Sequence, residues 1–270
     1  MNTINEKIQY IAADTTRSVQ DRVGDIVELH QTVKPDSDEF FQVGVTAYEA
    51  IRRMLLQDNY EDCHMGDLLM CNALLSESYW RVQKGWLIAP LAQHSYDMML
   101  GVTTSDEESL KTMIAVIDRL CYVLTNSGHP RLMMKLYALQ YDFIKQLPTP
   151  NELALKDTAE ELVTLAQLSQ CDTWLSPLKE EITNLLGEQQ VQEIINNPYT
   201  GFLKTDPVEY SEEYEDIIDS IDAEIDRRME GQPRGMGACF EIWSIKKELL
   251  ASHGIEWRSP ASMNPKVHFD

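Results

Sequence analysis

The sequence predicts an all-α protein, and three observations carry that expectation. Apolar residues recur three and four apart along nearly the whole chain. Proline, glycine and asparagine interrupt those stripes where helices should stop or start. No run shows the sustained alternation of β-branched residues, bounded by hairpin chemistry, that a strand needs. The expected architecture is an irregular multi-helix bundle or a degenerate array of antiparallel helical hairpins, with an ordered C-terminal cap.

Ile4, Ile8 and Ile11 mark the first helix, and Val19, Val23, Ile26, His30 and Val33 a second that stops before Pro35. Asp36, Ser37 or Asp38 caps the third, whose stripe is Phe40, Phe41, Ala47, Tyr48, Ile51 and Leu55. Leu68, Leu69, Asn72, Leu75, Tyr79 and Val82 mark a longer helix, and 86–100 forms another that is bent or begun at Pro90. Ser105, with Glu108 three residues on, reads as a capping box for the stripe Leu110, Met113, Ile114, Ile117, Cys121 and Leu124. Asn126-Ser127-Gly128 stops that helix and Pro130 starts the next, which carries Met133, Leu136, Gln140 and Phe143 as far as Pro148. Asn151 caps Leu155, Ala159, Leu162 and Ala166. Trp174, Leu178, Ile182 and Leu185 follow, and a short helix over 189–195 leads to Asn197-Pro198.

Short loops make neighbouring helices antiparallel. Helix starts near Leu69 and Asp106 lie about 37 residues apart, within the range of stacked helical repeats. The residue offsets of a tetratricopeptide pattern do not recur together. Segment 197–207, with Gly201 and two prolines, is the best boundary, so a helical part over 1–200 and a second part over 201–270 are expected, or one continuous domain.

From Asp206 to Glu230 the chain has eleven carboxylates and two cations, Arg227 and Arg228. On a continuous helix at about 100° per residue, Glu212, Glu215, Asp219, Asp222, Asp226 and Glu230 form one ridge. Tyr210, Tyr214, Ile217, Ile218, Ile221, Ile225 and Met229 form the opposite, docking stripe. Such a ridge reads either as a solvated face or as a surface that steers a basic partner. A calcium site is not expected, because a continuous helix offers no compact ligand loop.

The glycine-rich stretch 231–237 turns the chain. Its three glycines could surround an anion at a helix start, but the Lys-Ser or Lys-Thr pair of a phosphate loop is missing, and a tight turn is the favoured reading. A helix over 238–253 follows, with Phe240, Ile242, Trp243, Leu249 and Leu250 as its apolar side and Gly254 as its stop. The tail beyond cannot stay helical through Pro260 and Pro265. Its Trp257 and Phe269 mark it as an ordered cap on the fold.

Composition excludes several classes. A net charge of −21 on 270 residues opposes direct binding to nucleic acid or to an anionic membrane and suits a basic protein partner. Five widely spaced cysteines suggest reduced thiols in a cytoplasmic setting. The first residues, with Glu6 and Lys7, have no signal-peptide core, and the longest uncharged run, 85–96, is too short to span a bilayer.

The remaining constellations weigh toward structure. Cys63, His64, Asp67 and Cys71 resemble metal ligands, but on a helix the two cysteines stand about 12 Å apart, so no metal is expected. His129 is a candidate general base, with Ser127 or a distant carboxylate, against the simpler reading of a loop histidine. His30 and His94 read as hydrogen-bonded core positions, and His253 suits a helix C-terminus. Gly-x-Ser-x-Gly, Walker-type and His-Glu-x-x-His motifs are absent, and no cofactor is expected. Tyr79, Trp80, Trp86 and Tyr96 form an aromatic patch expected to be mostly core.

The expected function is therefore a non-enzymatic protein-binding module, for example an antitoxin, immunity-type inhibitor or adaptor, meeting a basic partner through Glu212, Glu215, Asp219, Asp222, Asp226 and Glu230. One alternative is a helical-repeat scaffold with an aromatic groove at Tyr79 and Trp86. Another is an enzyme whose site is assembled from distant residues, either His129 with carboxylates or the 235–237 turn with Arg234. The balance leans away from catalysis.

Overall fold

A computed structural model describes residues 3–57, 65–125, 127–198, 203–232, 235 and 237–269. Among them the chain forms fourteen α-helices and three short 3-10 turns, and no strand. No described helix is long and apolar enough to cross a membrane. The chain divides into two compact units, Met1–Val123 and Leu124–Asp270. Segment 197–207 lies within the second unit, and residues 199–202 are outside the described residues.

In the first unit, α1 (Ile4–Ala13) opens with a reciprocal capping box between Thr3 and Glu6. Ser18 caps α2 (Val19–Gln31), and Ser37 caps α3 (Asp38–Gln57) by accepting the Phe40 N–H. These three helices pack mutually around Ile8, Val19, Ile26, Val43, Ala47 and Ile51. Each fully buried Ile or Val contributes about 1.5–3 kcal/mol by leaving water. α4 (Met65–Arg81) lies against α3 at Gly44, where a Cβ would stand 2.8 Å from Ser78 Oγ. A 3-10 turn at Gly85–Leu87 leads into α5 (Ile88–Met99), which carries Pro90 in its first turn and packs on α4.

α6 (Glu107–Leu124) corrects one expectation. Its cap is Asp106, which accepts the N–H and hydroxyl of Ser109, and not a Ser105–Glu108 box. A carboxylate at that position also suits the positive end of the helix.

The interior histidines are engaged as polar core. His30 Nε2 donates to the Phe40 carbonyl at 3.0 Å, and its Nδ1 accepts from Tyr48 at 3.3 Å. Buried Asn72 ties three helices together: its oxygen accepts from Arg52 at 2.9 Å, and its amide donates to Ser95 at 3.0 Å and His94 at 3.3 Å. Burial, and then the charge of Arg52, holds His94 below the ordinary histidine value.

In the second unit, α7 (Pro130–Gln146) pairs with α8 (Glu152–Ser169). Pro130 occupies the first helical position, and Asn151 caps α8 through the N–H groups of Leu153 and Ala154. α9 (Lys179–Leu186) and α10 (Glu188–Asn196) turn about Gly187 and pack back on α8.

The acidic segment is not the continuous helix expected for it. It breaks into a 3-10 turn at Pro207–Tyr210, then α11 (Glu212–Glu215), then α12 (Ile218–Arg228). Asp206 and Ser211 are the reason: each side chain accepts a backbone N–H ahead of it, from Val208 and Tyr214, and so restarts the chain. Ile217, at φ −118°, makes the second break. The breaks let Tyr214, Ile218, Ile221, Ile225 and Met229 share one core with Leu250 of α13 (Ala238–Ser252) and with Trp257. The tail beyond α13, including α14 (Pro260–Met263), is an ordered cap: Asn264 exchanges hydrogen bonds with the backbone of Lys204 at 2.8 and 2.9 Å.

Candidate functional site

The acidic segment brings together residues more than eighty positions apart. His129 leaves the start of α7 without a side-chain cap of its own. Glu215 supplies one from α11: its two oxygens accept the N–H groups of Arg131 and Leu132 at 2.9 and 3.1 Å. A carboxylate placed on exposed helix N–H groups is favoured both by hydrogen bonding and by the helix dipole. Beside it, Arg131 Nη1 meets Glu212 at 2.6 Å.

His129 is 5% exposed, and its Nε2 donates to Asp219 Oδ1 at 3.0 Å, while Nδ1 stands 4.0 Å from Glu215. The distant carboxylate envisaged for this histidine is thus Asp219. Ser127, the other expected partner, donates to the Leu124 carbonyl instead. This buried imidazole joins the start of α7 to α12. Among the described residues, no group of three or more His, Cys, Asp or Glu side chains is arranged to hold a metal ion. Cys63 and His64 lie outside the described residues, as does Arg234 of the glycine-rich turn.

Other carboxylates of the segment are drawn inward too. Asp222 faces Lys246 at 3.9 Å, and that ammonium lies 5.4 Å from the ring centres of both Tyr214 and Trp257. Glu224 takes Arg227 and Arg228. Asp206 accepts the Arg258 backbone N–H and pairs with its guanidinium, and Glu209 accepts the Trp257 indole N–H at 2.7 Å. Asp226 is half-buried. Glu230 is exposed and borders, with Asp226, a shallow depression of about 600 Å³. Glu213 and Asp216, which were outside the expected ridge, are exposed, and like Glu230 they pair with no cation among the described residues.

Electrostatics separates these roles. Burial raises the carboxyls of Glu215, Asp222 and Glu209 above their ordinary values, and their partners pull them back only in part. At Asp206 burial pushes upward as well, but the bonds from Arg258 and the Val208 N–H outweigh it, and the carboxyl titrates low. Glu224 is brought down to about 2 by its two arginines.

The raised Glu215 has a testable consequence. A carboxyl with its folded pKa above the unfolded value stabilises fully below the ordinary glutamate range and loses that contribution as pH rises through the folded value. Relative to Glu215→Gln, the wild-type melting midpoint should therefore fall between pH 4 and pH 7. A difference that stays constant over that range would contradict the assignment.

The aromatic residues divide differently from the expected groove. Tyr79 is buried and donates to Glu49 at 2.6 Å, and Trp86 is half-buried. Near this patch the exposed aromatics are Trp80 and Tyr122, in edge contact at 5.5 Å, with Arg81 over the rings of Trp80 and Phe41. Tyr122 gave no signal in the sequence, because a lone tyrosine on the polar side of a helix resembles any surface residue.

No protein-family model, curated protein or solved structure matches this chain.

Proposed function

We propose that this protein is a non-enzymatic helical interaction module that takes a basic partner protein on the segment between Asp206 and Glu230. One observation carries the reading: an excess of negative charge remains after internal pairing. Among the described residues, five cations, Arg131, Arg227, Arg228, Lys246 and Arg258, form ion pairs with a segment of eleven carboxylates. Glu215, Asp219 and Asp222 serve mainly to hold α11 and α12 on the fold. Glu213, Asp216 and Glu230, exposed and without an ion pair among the described residues, are left to meet the partner. Such charge speeds encounter and selects sign more than it sets final affinity.

Capture from host lysate on the immobilised chain tests this, comparing wild type with Glu213→Lys/Asp216→Lys/Glu230→Lys. Wild type should retain one basic protein, identified by mass spectrometry, that leaves in high salt, where charge interactions are screened. The triple variant, with an unchanged melting midpoint, should not retain it. Retention of the same protein by both chains, or retention indifferent to salt, would sink the proposal.

A further inference from the structure

We propose that the first unit binds a phosphate-bearing small molecule in the cavity walled by α1, α2 and α3, with Arg17, Arg22 and Arg53 as its cationic wall. This site is independent of the acidic segment. The cavity holds about 550 Å³, within the size range of small-molecule pockets. In a chain where 44 carboxylates face 23 lysines and arginines, none of the twelve described residues that line it is acidic and three are arginines.

Arg22 is the central observation. It is only 9% exposed, yet its hydrogen-bond partners are neutral: Nη1 donates to the Ala12 carbonyl at 2.8 Å and Nε to the Ser18 carbonyl at 3.4 Å. Buried cations are normally paired with an anion, because removing a bare charge from water is costly. Here neither Arg22 nor Arg53 forms an ion pair among the described residues. Arg17, which also lines the cavity, pairs with Asp25 at 2.6 Å.

Asp14, Asp21 and Asp25 lie close in sequence but do not line the cavity; they accept from Thr16, Ser18 and Arg17 respectively, and Asp14 also lies within electrostatic reach of Arg17 and Arg22. The thirteen-residue α2 begins in the same wall, at Ser18 and Val19, and adds the positive end of its dipole. Gln9, Thr15 and Gln57 supply neutral donors.

Several guanidinium forks around one space suit a tetrahedral oxyanion, which accepts from more than one fork at once. The volume exceeds what a single phosphate fills, which indicates a small organic phosphate. A nucleic-acid strand would meet the repulsion of a chain carrying −21.

Isothermal titration calorimetry of the full chain with inorganic pyrophosphate tests the site, with citrate as a carboxylate of comparable charge. Pyrophosphate should bind saturably, one per chain. Arg53→Gln should weaken it about tenfold and Arg53→Glu should abolish it. Because Arg53 is exposed and forms no ion pair among the described residues, both variants should keep the wild-type melting midpoint, which separates loss of binding from loss of fold. Absence of saturable binding, or equal affinity in wild type and both Arg53 variants, would overturn the site. Citrate binding as tightly as pyrophosphate would overturn the assignment to phosphate.

Discussion

Gly128→Ala is expected to destabilise the second unit by about 2–5 kcal/mol. Two independent costs combine. Gly128 has φ +81°, a left-handed conformation that costs a residue with a Cβ roughly 1–2 kcal/mol. The added methyl would also stand 2.7 Å from Tyr214 Cε1 and 3.4 Å from Ile218. Neither neighbour can yield easily, since Tyr214 is fully buried and Ile218 lies in the same core as Trp257. Chemical unfolding followed by tryptophan fluorescence reads the loss. Gly24→Ala is the control: it sits inside α2 with nothing within 4 Å of the new methyl, and it should stabilise by about 0.5–1 kcal/mol. A Gly128 variant within about 1 kcal/mol of wild type would show that α7 and α11 are not held at this contact.

Trp257→Ala should cost about 3–5 kcal/mol, the range for removing a large buried aromatic side chain. The loss has a second part, because the indole N–H donates to Glu209, whose carboxyl is already raised by burial. Trp257→Phe separates the two: it keeps most of the packing and leaves that carboxylate without its donor, for about 1–3 kcal/mol. Hydrogen exchange should show the tail from Ile255 onward losing protection in the alanine variant. Wild-type protection there would mean that Asp206–Arg258 and the Asn264 bonds hold the cap without the indole.

Much of the fold was legible in the residue pattern, and the reason is local. Pro130 at the start of α7, Asn151 before α8 and the stop near Gly254 act through backbone dihedrals and donors within a few residues. The Ser105–Glu108 box failed on the same physics, since Asp106 stood one residue later with an equally good acceptor. The acidic helix was misread because charge spacing shows where carboxylates would lie on an ideal helix and says nothing of competing caps. Asp206 and Ser211 are such caps.

The sequence by itself determined the helical class, the order of the helices, the net charge, and the return of the Trp257 tail to the fold. Those properties follow from periodicity and composition, which need no knowledge of what lies across the core. Only the tertiary structure decided which carboxylates are paired within the fold. Glu215 finds the N–H groups of Arg131 and Leu132, and Asp219 finds His129 ninety residues away. The same holds for the arginines facing one cavity beside α2. Pairing across the fold depends on distances that helix packing sets, and no one-dimensional spacing encodes them.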